Sequence, residues 1–349
     1  MVILKNQLGI YLSLSFLMAF WPHGFLAPWL AWAGEEVVSK DKTSNRPVPE
    51  EIEILNDGIE KNPQNGNFFY RRGIAYLALG QLIQAVRDFS RAIELDSKEA
   101  MAYQQRGFCY VRLGLYAEAI WDFTRLIELR PKNSQAYELR GYAYMGLAEY
   151  HSAIRDFDRA VELDGENAQA FNNRGIALAQ IGQLNQAIWN FEKALQCNPQ
   201  LAGAYYNRGV AYHRQGNLQQ AIGDFSKAIG LDPGNSQAYN RRGLAFVELG
   251  DEDRGMRDLE KAIELDPGNS AFYLDRAMAW ERKGLLKKAM LDYDKAIELN
   301  PRNPQAYWAR GILHDRLENE EKAIEDLKIA SRMGNKMAQT FLKAKDLGW

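Results

Sequence analysis

The chain has 349 residues, 46% of them apolar and 25% charged, with only 11 prolines; this excludes a disordered or collagen-like protein and fits an ordered, largely helical one. Its 43 basic and 45 acidic residues leave a net charge of -2, and Lys5 is the only charge in residues 1–33. With no run of Lys and Arg, it lacks the basic stripe of a nucleic-acid binder, and no nucleic acid is expected among its partners.

Residues 1–33 combine Lys5, an apolar run from Leu8 to Phe20, a Trp21-Pro22-His23-Gly24 break, a second apolar stretch and Ala31-Trp32-Ala33 before Gly34. The small-x-small triplet fits a signal peptide cleaved after Ala33, with Glu35 and Glu36 as the first charges of the mature chain. Leu8 to Ala33 is also about long enough to remain as an uncleaved membrane anchor. Both readings predict an exported protein, in the periplasm, a lumen or outside, and the second adds membrane association through residues 1–33. No cysteine follows the apolar run, which excludes a lipoprotein anchor. Residues 34–49 lack helical periodicity, contain two prolines and read as a flexible linker.

From Gly66 the chain matches itself at a period of 34, in eight units beginning at Gly66, Ala100, Ser134, Ala168, Ala202, Ser236, Ser270 and Pro304 and ending at Met337. Position 4 of every unit is aromatic, from Phe69 to Tyr307; position 8 is Gly in all but Ala277, and position 20 is Ala in all but Gly255. Position 24 is a large apolar residue, such as Phe89, Phe123 or Leu327, and Pro131, Pro199, Pro233, Pro267 and Pro301 stand at position 32, where a helix must stop. Small residues that let two helices approach, and aromatic residues that fill the space between them, describe an amphipathic helical hairpin. At position 15, Ala148 and Glu318 replace the turn glycine, and the turn geometry there is in question.

This pattern resembles the tetratricopeptide repeat. The resemblance implies an all-α, right-handed superhelical solenoid of helix-turn-helix repeats, with eight full repeats over residues 66–337. Residues 50–65 resemble the second helix of a partial repeat, and residues 338–349 a C-terminal cap helix with Phe341 at an aromatic position.

Position 7 is arginine in all eight units, and position 23 is aspartate in seven. In an antiparallel hairpin turning near position 15 these positions lie at nearly one height. A structural ion-pair ladder is therefore expected: Arg72 with Asp88, Arg106 with Asp122, Arg140 with Asp156, Arg208 with Asp224, Arg242 with Asp258, Arg276 with Asp292 and Arg310 with Asp326. Asn190 faces Arg174 in the fourth unit and leaves that arginine uncompensated. Cys109, at a position otherwise mostly Ala, and Cys197, at a position taken elsewhere by Leu95 and Leu129, are both expected to be buried thiols.

The resemblance further implies that positions 2, 5, 6, 9, 12 and 13 of the first helices face a concave groove that holds a partner polypeptide. Position 9 is apolar throughout, so the asparagine clamp of chaperone-type members is missing. The middle units instead offer Asn172, Asn173, Asn207, Asn240 and Arg241 at positions 5 and 6, beside Tyr206 and His213, while Tyr70 and Trp308 offer aromatic anchors. Amides can both donate to and accept from a peptide backbone, so a ladder of them would hold extended chain with little sequence preference; solvated surface amides are the plainer alternative. No segment remains for a catalytic domain, and His151, His213 and His314 lack metal-ligand spacing, so neither an enzyme nor a cofactor is expected. The sequence reads as an exported interaction scaffold for a protein or peptide client, with a membrane-associated assembly or biogenesis factor, and more distantly a metal-delivering accessory protein, as the alternatives.

Overall fold

A computed structural model of the chain describes residues 48–345 and Leu347. The signal-peptide or anchor reading of residues 1–33, and the linker up to residue 47, lie outside the described residues. The described residues form 18 α-helices and no strand. They divide into two compact units, the first ending at Pro199 and the second starting at Gln200.

The first unit runs α1 (Val48–Lys61), α2 (Gly66–Ala78), α3 (Leu82–Leu95), α4 (Ala100–Arg112), α5 (Tyr116–Leu129), α6 (Ser134–Gly146), α7 (Tyr150–Leu163), α8 (Ala168–Gln180) and α9 (Leu184–Cys197). The second runs α10 (Ala202–Arg214), α11 (Leu218–Leu231), α12 (Ser236–Glu248), α13 (Glu252–Leu265), α14 (Ser270–Arg282), α15 (Leu286–Leu299), α16 (Pro304–Arg316), α17 (Glu320–Arg332) and α18 (Lys336–Ala344). Each 34-residue unit is thus one helical hairpin, with helices of 13 and 14 residues in the first seven and of 13 and 13 in the eighth. Helix α1 begins two residues inside the stretch read as linker, because Pro49 falls in the first turn, where its missing N–H has no partner to lose.

Asparagine just before the first helix starts many of the hairpins: Asn167 and Asn235 accept from the N–H groups of Ala170 and Ala238 at 2.8 and 2.9 Å. Between the helices, the rings of Phe89, Phe123, Phe157, Phe191 and Phe225 are fully buried, each stabilising its hairpin by about 1.5–3 kcal/mol. The position-8 glycine makes room for them. A methyl group at Gly175 would lie 2.6 Å from the Phe191 ring, so the first helix can approach only without a side chain there. The turn that follows keeps its left-handed backbone even without glycine, with φ of 58° at Ala148 and 60° at Glu318. That conformation costs a non-glycine residue about 1–2 kcal/mol, partly offset by the greater entropy glycine loses on folding. Ala148→Gly is therefore expected to stabilise the α6–α7 hairpin by about 0.5–1 kcal/mol, read as slower amide exchange there.

One cysteine departs from the expectation of two buried thiols. Cys109 is buried among α4 and its neighbours, and burial pushes its thiol up to about 12. Cys197, the last residue of α9, is exposed, as is the equivalent Leu265, whereas Leu95 and Leu129 at the same position are half-buried against the core. At pH 8 a thiol reagent should modify one cysteine per folded chain, and Cys197→Ser should abolish the reaction.

Candidate partner-binding site

The arginine at position 7 ties every hairpin together. In seven of them it donates from Nε and Nη2 to the two oxygens of the position-23 aspartate, at 2.7–2.9 Å, as in Arg106 with Asp122 and Arg310 with Asp326. In five of these seven the remaining Nη1 reaches back to position 25 of the preceding repeat. Arg72 donates to Asn56, Arg106 to Ser90, Arg140 to Thr124, Arg242 to Ser226 and Arg310 to Asp294, at 2.6–3.1 Å. The ladder therefore joins hairpins as well as closing them. Arg174 corrects the sequence reading: it is not uncompensated, because Nη1 meets the carboxylate of Asp158 at 2.7 Å while Nε takes Asn190 Oδ1 at 2.6 Å.

Along the other side of each unit, consecutive first helices meet at a spacing of 35 residues, one more than the repeat. In the first unit, Glu138 on α6 accepts from Asn173 on α8 at 3.3 Å and from Asn167, the cap of α8, at 3.0 Å. Gln169 in turn donates to Asn173 at 3.1 Å. Glu138 is buried, and the loss of water around it pushes its carboxyl up to about 7, with Asp164 adding to the rise and the Asn167 bond opposing it. Asn172 is buried in the same layer, and Tyr70 is half-buried with its ring 5.8 Å from Phe89. Phe108 is buried, whereas Tyr142 is half-buried.

In the second unit, Asn240 on α12 donates to Asp275 on α14 at 2.7 Å. Burial raises the Asp275 carboxyl above its ordinary value against the pull of Arg241 and of the Asn240 bond. Asn240 Oδ1 and Arg241 Nε are shielded from solvent, and neither has a hydrogen-bond partner among the described residues. Farther along the same helices, His213 Nε2 lies 3.3 Å from Glu248, and Glu281 receives both Arg316 and the Tyr293 hydroxyl. Tyr206 is half-buried with its ring 5.9 Å from Phe225, and Asn207 is buried. Trp308 is half-buried edge-on to Phe341 of α18, with centroids 6.1 Å apart.

The structure thus brings Asn173 together with Glu138, and Asn240 and Arg241 together with Asp275. The asparagines are not solvated surface groups: Asn172, Asn173, Asn207 and Asn240 are 1–7% exposed. Tyr70, Tyr206, Arg241, His213 and Trp308 are half-buried. Glu138 and Asp275 were missed by sequence reasoning. The signal for both was present in the sequence as an acid 35 residues from an amide, a spacing that comparison of like positions at 34 passes over. Among the described residues there is no group of three or more metal-ligating side chains, and no helix is long and apolar enough to cross a membrane.

Models of the tetratricopeptide repeat match residues 54–87, 100–133, 134–167, 202–235 and 236–269, and a model of the TPR repeat matches 177–216 and 282–317, together well over half of the chain. No curated protein matches. Of solved structures, the APC/C hetero-tetramer Cut9–Hcn1 is similar at a TM-score of 0.59 and 16% identity, over 84% of this chain and 58% of that one. A tetratricopeptide repeat protein from Parabacteroides merdae is similar at 0.58 and 21%, over 77% of this chain and 99% of that one. YrrB, a TPR protein described as having an unusual peptide-binding site, is 28% identical over 53% of this chain and 95% of its own, at a TM-score of 0.45.

Proposed function

The chain belongs to the tetratricopeptide-repeat family, and from that premise we propose that it is a non-catalytic scaffold that binds an extended segment of a client polypeptide across its first helices. One observation carries this reading. On α12 an acceptor, Asn240 Oδ1, and a donor, Arg241 Nε, stand without partners beside the half-buried carboxylate of Asp275. A polar group shielded from water and left unsatisfied costs about 1–3 kcal/mol, and a peptide bond has the N–H and C=O that satisfy both once side-chain movement on binding uncovers them. Tyr206, half-buried nearby in the chain's repeat frame, adds aromatic area of the kind that dominates binding hot spots.

The test is co-purification from the native compartment, beside a variant carrying Asn240→Ala and Arg241→Ala, after circular dichroism has shown both to be helical. A client retained by the wild type and lost by the variant supports the reading. Identical partners on both would place binding elsewhere. The composition of residues 1–33 supports delivery of this scaffold outside the cytoplasm. Intact mass distinguishes the forms: a chain starting at Gly34 supports a released scaffold, and retention of the apolar run supports a membrane-attached assembly factor.

A further inference from the structure

In seven hairpins Nη2 of the ladder arginine donates to an aspartate oxygen; in the fourth it does not. Asn190 gives its one acceptor, Oδ1, to Arg174 Nε and turns Nδ2 to the Gln186 carbonyl at 2.8 Å, since an amide nitrogen cannot accept. Nη1 is occupied by Asp158, which leaves Arg174 Nη2 with no acceptor among the described residues. What belongs there is shown by Arg310. That arginine holds two carboxylates at once, Asp326 on Nε and Nη2 and Asp294 on Nη1, so this position tolerates a second anion beside the one at position 25.

Arg174 lines a cleft of about 540 Å³ between α7, α8 and α9, together with His151, Ile154, Leu178, Ile181 and Trp189. Trp189 is 49% exposed, and its ring is fixed edge-on to Phe171, with centroids 6.4 Å apart. Lys193 Nζ lies 5.5 Å from the centre of the same ring. The cleft therefore offers an unused guanidinium donor, an aromatic face and aliphatic walls; the two charges that line it, Arg174 and Asp158, balance, and Lys193, beside Trp189, adds a positive one. Its size falls in the range of about 300–1,000 Å³ usual for small-ligand sites.

We propose that this cleft between α7, α8 and α9 binds an organic carboxylate with an aromatic or branched aliphatic body. One carboxylate oxygen accepts from Arg174 Nη2, completing the rung that Asn190 leaves open, and the body lies on Trp189. A free acid and the C-terminus of a polypeptide share this chemistry.

The full chain is titrated with N-acetyl-phenylalanine and with N-acetyl-phenylalaninamide by ligand-observed NMR. The acid is expected to bind at least roughly tenfold more tightly than the amide. Asn190→Asp supplies Nη2 with an internal oxygen, as in the other seven hairpins, and should weaken the acid by a similar roughly tenfold factor while leaving the helical spectrum intact. Trp189→Ala should weaken both probes. A peptide, acetyl-Gly-Gly-Gly-Gly-Phe with a free C-terminus, that binds more tightly than N-acetyl-phenylalanine identifies a chain terminus as the source; equal binding identifies a small acid. The proposal is overturned by equal affinity for acid and amide, by an Asn190→Asp variant that binds like the wild type, or by no saturable binding up to about 10 mM.

Discussion

Asp122→Ala is expected to destabilise the first unit by about 3–5 kcal/mol, the largest loss for any single ladder residue. Asp122 is fully buried and takes Arg106 Nε and Nη2 at 2.9 and 2.7 Å, while the same arginine holds Ser90 of the preceding hairpin at 2.9 Å. Burial acts on the two partners in opposite ways. It pushes the Asp122 carboxyl up by more than Arg106 pulls it down, whereas Arg106, in spite of burial, is raised by its bonds to Asp122. The guanidinium keeps its charge and the geometry is bidentate, so the pair is ionised at neutral pH; its net energy is small and its one-sided removal costly. Alanine leaves Arg106 charged, mostly buried and facing a void. Two comparisons separate this account from simple loss of contact. Asp57→Ala, which removes the exposed Lys61–Asp57 pair, should leave the urea midpoint nearly unchanged. Replacing both members, Arg106→Met with Asp122→Leu, should recover most of the loss; a double variant as unstable as Asp122→Ala would sink the idea.

The second large effect is expected from Glu138. Its folded carboxyl sits at about 7 against an ordinary 4.5, so the native protein holds a proton that the unfolded chain gives up. With more protons bound in the native state, stability must fall as pH rises. The contribution is complete below the unfolded value and is lost through the window from about 4.5 to 7, a change on the order of 3 kcal/mol. Glu138→Gln cannot ionise and should flatten that slope. It also trades one accepting oxygen for an amide nitrogen facing Asn167 or Asn173, so it should be slightly less stable than the wild type at pH 4 and more stable at pH 8. Amide exchange in α6 and α8 at the two pH values reads both signs; parallel curves for the two proteins would refute the assignment.

Much of this was legible in the sequence. Strict spacing of Phe, Gly and Ala specified the hairpins, because each residue type answers one steric demand: Gly175 is small where Phe191 is large. The ladder could be read from height alone, since positions 7 and 23 are equidistant from the turn. What stayed hidden lay between hairpins. The backward bond of Arg174 to Asp158 depends on how one hairpin stacks on the previous one, which no single repeat states. The same holds for Glu138 with Asn173 and Asp275 with Asn240, where the facing positions differ by one residue because neighbouring helices are rotated with respect to one another. Cys197 differs from Leu95 and Leu129, which pack against the core from the same repeat position, and is itself exposed.

The arginine ladder also sets an order in time. Arg106 finds Ser90 sixteen residues behind it and Asp122 sixteen ahead, and Arg72, Arg140, Arg242 and Arg310 repeat that symmetry. No tie of this kind waits for a distant part of the chain, and such short-range contacts are the ones that form fastest. When the polypeptide emerges from a ribosome, an arginine can fasten its hairpin to the previous one as soon as sixteen further residues are free. Completion then runs from the first repeat to the last, at the pace of emergence, with one unfinished hairpin at the growing end.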